Sequence, residues 1–169
     1  GAPMATEDLL ARRPEDLLGA ALSHRTLAAR RPVGTANVRV FTPTVEQQGW
    51  STGHTVIEVV TDDMAFLVDS VSAEMARQAR TIHLIVHPQR VVRRDATGQL
   101  EEVLDVEPAD APKEFGVSVE SWMHVQIDRE SDPVQREHIA ERLRTVLGDV
   151  RVAVEDWPRM TVRAVQIAE

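Results

Sequence analysis

Three histidines, His83, His87 and His124, fall in stretches that alternate polar with apolar residues. Imidazole is both a common metal ligand and an acid–base group. His83 and His87 are four residues apart, which on a strand separates them by roughly 13 Å at about 3.3 Å per residue, so one ion cannot bridge them. His124 can approach either from a neighbouring strand, but two histidines fall short of the ligand set of a zinc site. Hydrogen-bonded or interface histidines are therefore expected, and no metal. The pair Asp62-Asp63 has the right types for a general acid and base, yet adjacent carboxylates rarely face one cleft. Their place between a strand pattern and a helix pattern predicts capping instead. Free amides at that helix start can also hold the carboxylate of a small ligand. The chain has no Gly-rich phosphate loop, no Gly-x-Ser-x-Gly elbow and no His-Glu-x-x-His pattern. It has no cysteine, hence no thiolate chemistry and no disulfide, and Lys113 has no context that suggests a Schiff base.

Composition sets the frame for these residues. The 169 residues suit one domain with an appendage and are too few for two enzyme domains sharing a cleft. With 43% hydrophobic and 27% charged residues the chain can bury a core. Acidic side chains outnumber basic ones, 27 to 19, for a net charge of −8, so no grip on nucleic acid or an anionic membrane is expected. Trp122 and Trp157 are read as packing or interface residues rather than base-stacking platforms. No apolar run reaches the ~20 residues of a membrane span and no signal-peptide pattern opens the chain, which makes the cytoplasm the expected compartment. Gly1-Ala2-Pro3 ahead of Met4 reads as the remnant of a cleaved tag.

The elements that must position these groups follow from periodicity. Pro14 to about Arg30 reads as a helix, with Glu15 and Asp16 in its first turn, followed by a short run from Val38 to Phe41. Residues 4–50 are thus expected to form an arm on a main domain spanning 51–157, with a tail over 158–169. His54 to Thr61 is rich in β-branched residues and reads as a strand. Leu67, Val71 and Met75 recur at helical spacing, opened by Asp63 as cap. Ile82 to His87 returns to strand character as far as Pro88, with Val91-Val92 continuing past a bulge. A turn at Asp95–Gly98 folds Leu100 to Val106 back as a hairpin. Ser121 to Asp128 is a strand with Met123, Val125 and Ile127 inward. Asp132-Pro133-Val134-Gln135 starts a helix with Ile139, Leu143, Val146 and Leu147 buried and Gly148 as its left-handed end. Val150 to Glu155 is read as a last strand. Without arm and hairpin the order is βαββαβ, an α+β ferredoxin-like fold with an antiparallel sheet and two helices on one face. The open face is expected to carry Glu58, His83, Ile85, His87, Trp122, His124, Gln126, Arg151 and Glu155. Ile85, His83, Trp122 and His124 are the candidate interface.

The stretch from His54 through Asp62-Asp63-Met64-Ala65-Phe66-Leu67-Val68 to Val71, then Ile82-His83-Leu84-Ile85-Val86-His87-Pro88 and Glu120-Ser121-Trp122-Met123-His124, resembles the N-terminal region of the large bacterial NAD-specific glutamate dehydrogenases. Pro14-Glu15-Asp16-Leu17, Val38-Arg39-Val40-Phe41, Gly49-Trp50 and Val154-Glu155-Asp156-Trp157 extend it over nearly the whole chain. The resemblance implies an ACT-type regulatory module. Such modules bind amino acids at the loop after the first strand or at the interface of a domain pair, and the first of these makes Asp62, Asp63, Met64, Ala65 and Phe66 the candidate effector loop. It implies NAD and glutamate oxidation for a parent enzyme whose catalytic segments lie elsewhere, so neither catalytic residues nor a cofactor is expected here. Other domains of the parent and further copies of the chain are the expected partners, beside an amino-acid effector. Phe66 stands where ACT modules carry glycine, and its ring is expected to fill the amino-acid pocket. The resemblance therefore leaves two roles open, amino-acid sensing and a structural or oligomerisation module without ligand.

Overall fold

A computed structural model describes residues 13–168, with side chains through Asp156. The expected tag remnant and the side chain of Trp157 lie outside the described residues. In chain order the elements are α1 (Pro14–Ala28), β1 (Asn37–Phe41), α2 (Val45–Gln48), β2 (Thr55–Asp62), α3 (Leu67–Arg77), β3 (Ile82–Val86), β4 (Gln89–Arg94), β5 (Leu100–Leu104), a 3-10 turn (Pro108–Asp110), β6 (Val117–Ile127) and α4 (Pro133–Ala168). The fold is α+β, with a six-stranded antiparallel sheet ordered β1-β2-β6-β4-β5 and β3 also on β6.

The long strand β6 organises the sheet. On one side it pairs with β2 from Ile127 to Glu120. On the other, β3 lies along its C-terminal half and β4 along its N-terminal half. Pro88 breaks the line between β3 and β4 because it has no N–H to donate, yet its carbonyl still accepts from the Trp122 amide at 3.1 Å. The hairpin β4-β5 thus extends the main sheet rather than hanging from it.

One face of the sheet is covered by α3 and α4. Leu67, Val71 and Met75 pack with Met123, Val125 and Ile127 and with Ile139, Leu143 and Leu147, all buried. Each such side chain contributes about 1.5–3 kcal/mol. α4 starts as its sequence demands, the Asp132 carboxylate accepting from the Val134 amide at 2.9 Å ahead of Pro133.

Five expectations are corrected. Val150 to Glu155 is not a strand: α4 runs straight through it. Val150, Val152 and Val154 alternate, but Leu143, Leu147, Val150 and Val154 also recur at helical spacing. Val150 joins the core while Val152 is exposed, so the longer period prevails. Gly148 accordingly sits inside the helix rather than ending it, and Arg151 and Glu155 lie on α4 rather than on the open face. The sheet position next to β2 is taken by β1, which binds β2 in antiparallel register from Asn37↔Val60 to Phe41↔Val56. Asp63 caps nothing, because β2 extends through Asp62 and the Asp63 amide still donates to the Val119 carbonyl at 3.0 Å, which delays the helix to Leu67. Ile85 points into the helix-covered core, not to the open face. A register shift on β6 between Ile82 and Leu84 reverses the alternation, so that Leu84 and Val86 face the other side.

That other face is not open either. α1 lies over it, with His24 of the helix stacked on Trp122 at 5.6 Å between ring centroids and bonded to the Val59 carbonyl at 3.0 Å. Trp122 is buried in a second small core with Ala28, Val60 and Val92, and Trp50 in a third with Phe41 and Val56. Gly19 lets α1 approach this closely, since a Cβ there would stand 2.5 Å from the Trp50 indole.

Candidate functional site

The corner between β2 and α3 forms a hollow of about 410 Å³. Its walls come from Asp63, Met64, Phe66 and the first turn of α3, closed by His87, Gln89 and Ser121. Gln89 and Ser121 face each other across β4 and β6, and Gln89 Nε2 donates to the Asp63 carboxylate at 2.6 Å. The first-turn amides of a helix have no intrahelical partner, and no side chain caps those of α3. Amides so placed, with the helix dipole, favour an anion.

Phe66, just before α3, has φ 71° and ψ 9°, the left-handed region. This backbone turns its ring outward, leaving the residue 67% exposed, so the expectation that the ring fills the hollow is corrected: it forms part of the rim. A non-glycine residue in that conformation costs roughly 1–2 kcal/mol. Phe66→Gly should therefore raise the unfolding free energy by about 0.5–1 kcal/mol, the strain relief less the added freedom of the unfolded chain. In urea titrations the midpoint should rise with an unchanged slope; a lower midpoint would show that the ring makes contacts outweighing the strain.

Asp62 and Ala65 do not line the hollow. Asp62 belongs instead to a partly buried ion network. Its carboxylate accepts from Arg31 at 2.7 Å and from both Arg151 nitrogens at 2.7 and 2.6 Å. Burial alone would raise this carboxyl, but the Arg151 and Arg31 guanidiniums hold it below the usual carboxylate range. Arg31 also reaches Glu120, which is fully buried and bonded to Arg94 through both oxygens at 2.8 and 2.9 Å and to the Trp122 indole at 3.1 Å. Gly98 closes the arrangement: its carbonyl accepts from Arg94 and from the Arg31 amide, and at φ 92° a Cβ would stand 2.4 Å from the Arg31 carbonyl oxygen.

The interface candidates separate. Trp122 is covered within the chain, and Ile85 is in the core. His83 is partly exposed, stacked on His54 at 4.4 Å and bonded to Asp128 at 2.7 Å. His124 Nε2 lies 2.9 Å from Gln126 Nε2, so the amide donates and the imidazole accepts. Gln126 Oε1 in turn lies 3.1 Å from His54 Nδ1, which donates to it. Among the described residues no three His, Asp or Glu side chains are grouped to hold a metal ion, and no helix is long and apolar enough to cross a membrane.

The model of the glutamate dehydrogenase ACT1 domain matches residues 2–143. The chain belongs to that family. It is 39% identical over 163 residues, 96% of its length, to an NAD-specific glutamate dehydrogenase of Halomonas elongata, and 36% identical over 161 residues, 95% of its length, to one of Pseudomonas aeruginosa. In both cases the aligned part is 10% of the relative, so this chain spans about a tenth of the length of the curated relatives it matches. No solved structure gives a significant match. The hollow of this ACT1-family domain includes His87, Gln89 and Ser121, which reading the loop alone missed. The strand pairing that brings them there was visible only as the Pro88 break, and their register was not.

Proposed function

We propose that this domain is a non-catalytic regulatory module of an NAD-specific glutamate dehydrogenase, an enzyme converting L-glutamate, NAD and water to 2-oxoglutarate, ammonium and NADH. NAD belongs to the parent's catalytic region. The hollow at the β2–α3 corner takes the carboxylate of an amino acid on the first-turn amides of α3, with Asp63 and Gln89 on its polar side. The observation that carries this reading is the uncapped start of α3 opening onto a 410 Å³ hollow beside the candidate loop.

A ligand bound only by the folded state stabilises it by about 2.7 kcal/mol at one hundred times its Kd. For a domain of this size that raises Tm by roughly 5–11 °C. A thermal-shift panel of the twenty amino acids should give such a shift for at least one, with amide chemical-shift changes at Met64 to Asp69. No shift at saturating concentration would remove the sensing role. Turnover of glutamate and NAD by the isolated chain would overturn the non-catalytic one.

An assembly role is favoured separately by Leu18 and Leu22, 61% and 58% exposed on the outer side of α1. Other parent domains or further copies of the chain would cover them.

A further inference from the structure

A second cleft, unrelated to the β2–α3 corner, opens between α1 and the sheet. It encloses about 500 Å³, within the ~300–1,000 Å³ range of small-molecule sites. Close seating of Gly19 on Trp50 holds one side of α1 against the sheet. On the other side the small Ala20 and Ala21 leave space above Leu84, Val86 and Trp122. The floor is apolar, with a polar end made by His124 and Gln126, whose amide orientation is set by the His54 and His124 rings.

Two exposed cations, Arg25 and Arg90, line this cleft. Arg31, Arg80, Arg94 and Arg151, by contrast, end on carboxylates. Among the described residues neither Arg25 nor Arg90 has an acidic partner. The single acid in the lining, Asp16, accepts from the Ser51 amide at 3.1 Å. Arginine presents a fork of donors that suits a carboxylate, whereas an apolar floor with an indole suits a hydrocarbon or aromatic body. We propose that the cleft under α1 binds a small carboxylate with an apolar body, the body lying on Trp122, Leu84 and Val86 and the carboxylate held by Arg25 and Arg90.

Titration with 3-phenylpropionate, 4-methylpentanoate and indole-3-acetate, each against its primary amide, tests this by two-dimensional NMR. At least one acid should shift the Trp122 indole N–H signal saturably, with its amide binding tenfold or more weakly. The double variant Arg25→Gln/Arg90→Gln should lose about tenfold in affinity at unchanged Tm, since neither side chain supports the fold. Ala21→Phe should abolish binding by filling the cleft while leaving the response of the Met64 to Asp69 amides to amino acids intact, which separates this site from the corner hollow. Equal affinity for acid and amide, absence of a saturable Trp122 shift with all three acids, or shifts confined to Met64–Asp69 would overturn the proposal.

Discussion

Glu120→Gln should lower the unfolding free energy by about 3–5 kcal/mol, the range for removing one member of a buried ion pair. Glu120 has no exposed surface and is the only carboxylate in contact with Arg94 among the described ion pairs; Arg31 shares it with Asp62. The native cluster sets the three guanidiniums of Arg31, Arg94 and Arg151 against the carboxylates of Glu120 and Asp62, with the exposed Glu155 also on Arg151. Neutralising Glu120 leaves Arg94 with no carboxylate and Arg31 with Asp62 alone, which Arg151 already shares. The amide also has a single acceptor oxygen for donors now shared by two, so buried N–H groups lose partners outright. Because Arg31 follows α1, Arg94 ends β4 and Arg151 sits on α4, the loss should loosen three parts of the fold together. Urea unfolding at pH 7 checks the magnitude, and Glu114→Gln provides the contrast: its partner Arg93 is at the surface, so its loss should stay below about 1 kcal/mol. Equal effects of the two substitutions would show that the network contributes no more than a surface pair.

Much of the fold is legible where one local pattern has one solution. Leu67, Val71 and Met75 fit only a helix facing a core, and Met123, Val125 and Ile127 only a strand with one face inward. Asp132-Pro133 names a helix start by its own hydrogen-bonding chemistry. What the residues do not carry is non-local. Val150 to Glu155 satisfies the strand period and the helix period alike, and what decides is whether the edge beside β2 is already taken. It is taken by β1, more than a hundred residues earlier in the chain. Ile85 lies on the opposite face from the one simple alternation predicts, because the shift against β6 that reverses β3 depends on how two strands meet, not on either alone. Asp63 has the side chain of a cap, but sheet pairing captured its amide first. The candidate loop was legible as a loop, whereas the other walls of the hollow come from β4 and β6. The cleft under α1 is not legible in the sequence, because no periodicity says which surface a peripheral helix will cover.

Glu58 offers the clearest test of what that covering helix does. The residue is fully buried on the face α1 covers, and neither carboxylate oxygen has a hydrogen-bond partner. Arg39 stands 4.0 Å away with its own side chain partly in water, Ser23 approaches from α1, and His124 is the residue opposite on β6. Burial pushes the Glu58 carboxyl from 4.5 up to about 7, against the weaker pull of Ser23 and Arg39. An acid raised on folding is protonated in the native state while the unfolded state has ionised, so between about pH 4.5 and 7 folding takes up a proton and stability falls as pH rises. Below 4.5 both states are neutral and no cost remains; above 7 the full cost is present, about 3 kcal/mol at 1.36 kcal/mol per unit. Glu58→Gln removes the titration while keeping the shape. It should therefore stabilise the domain by about 1–3 kcal/mol at pH 8 and by little at pH 4.5. His24, whose pKa burial lowers, draws stability down toward acid pH in both proteins and cancels in the comparison. Urea titrations of both proteins across pH 4.5–8.5 give the difference directly. A difference that does not change with pH would mean that water or a cation reaches Glu58, and that α1 does not seal this face of the sheet.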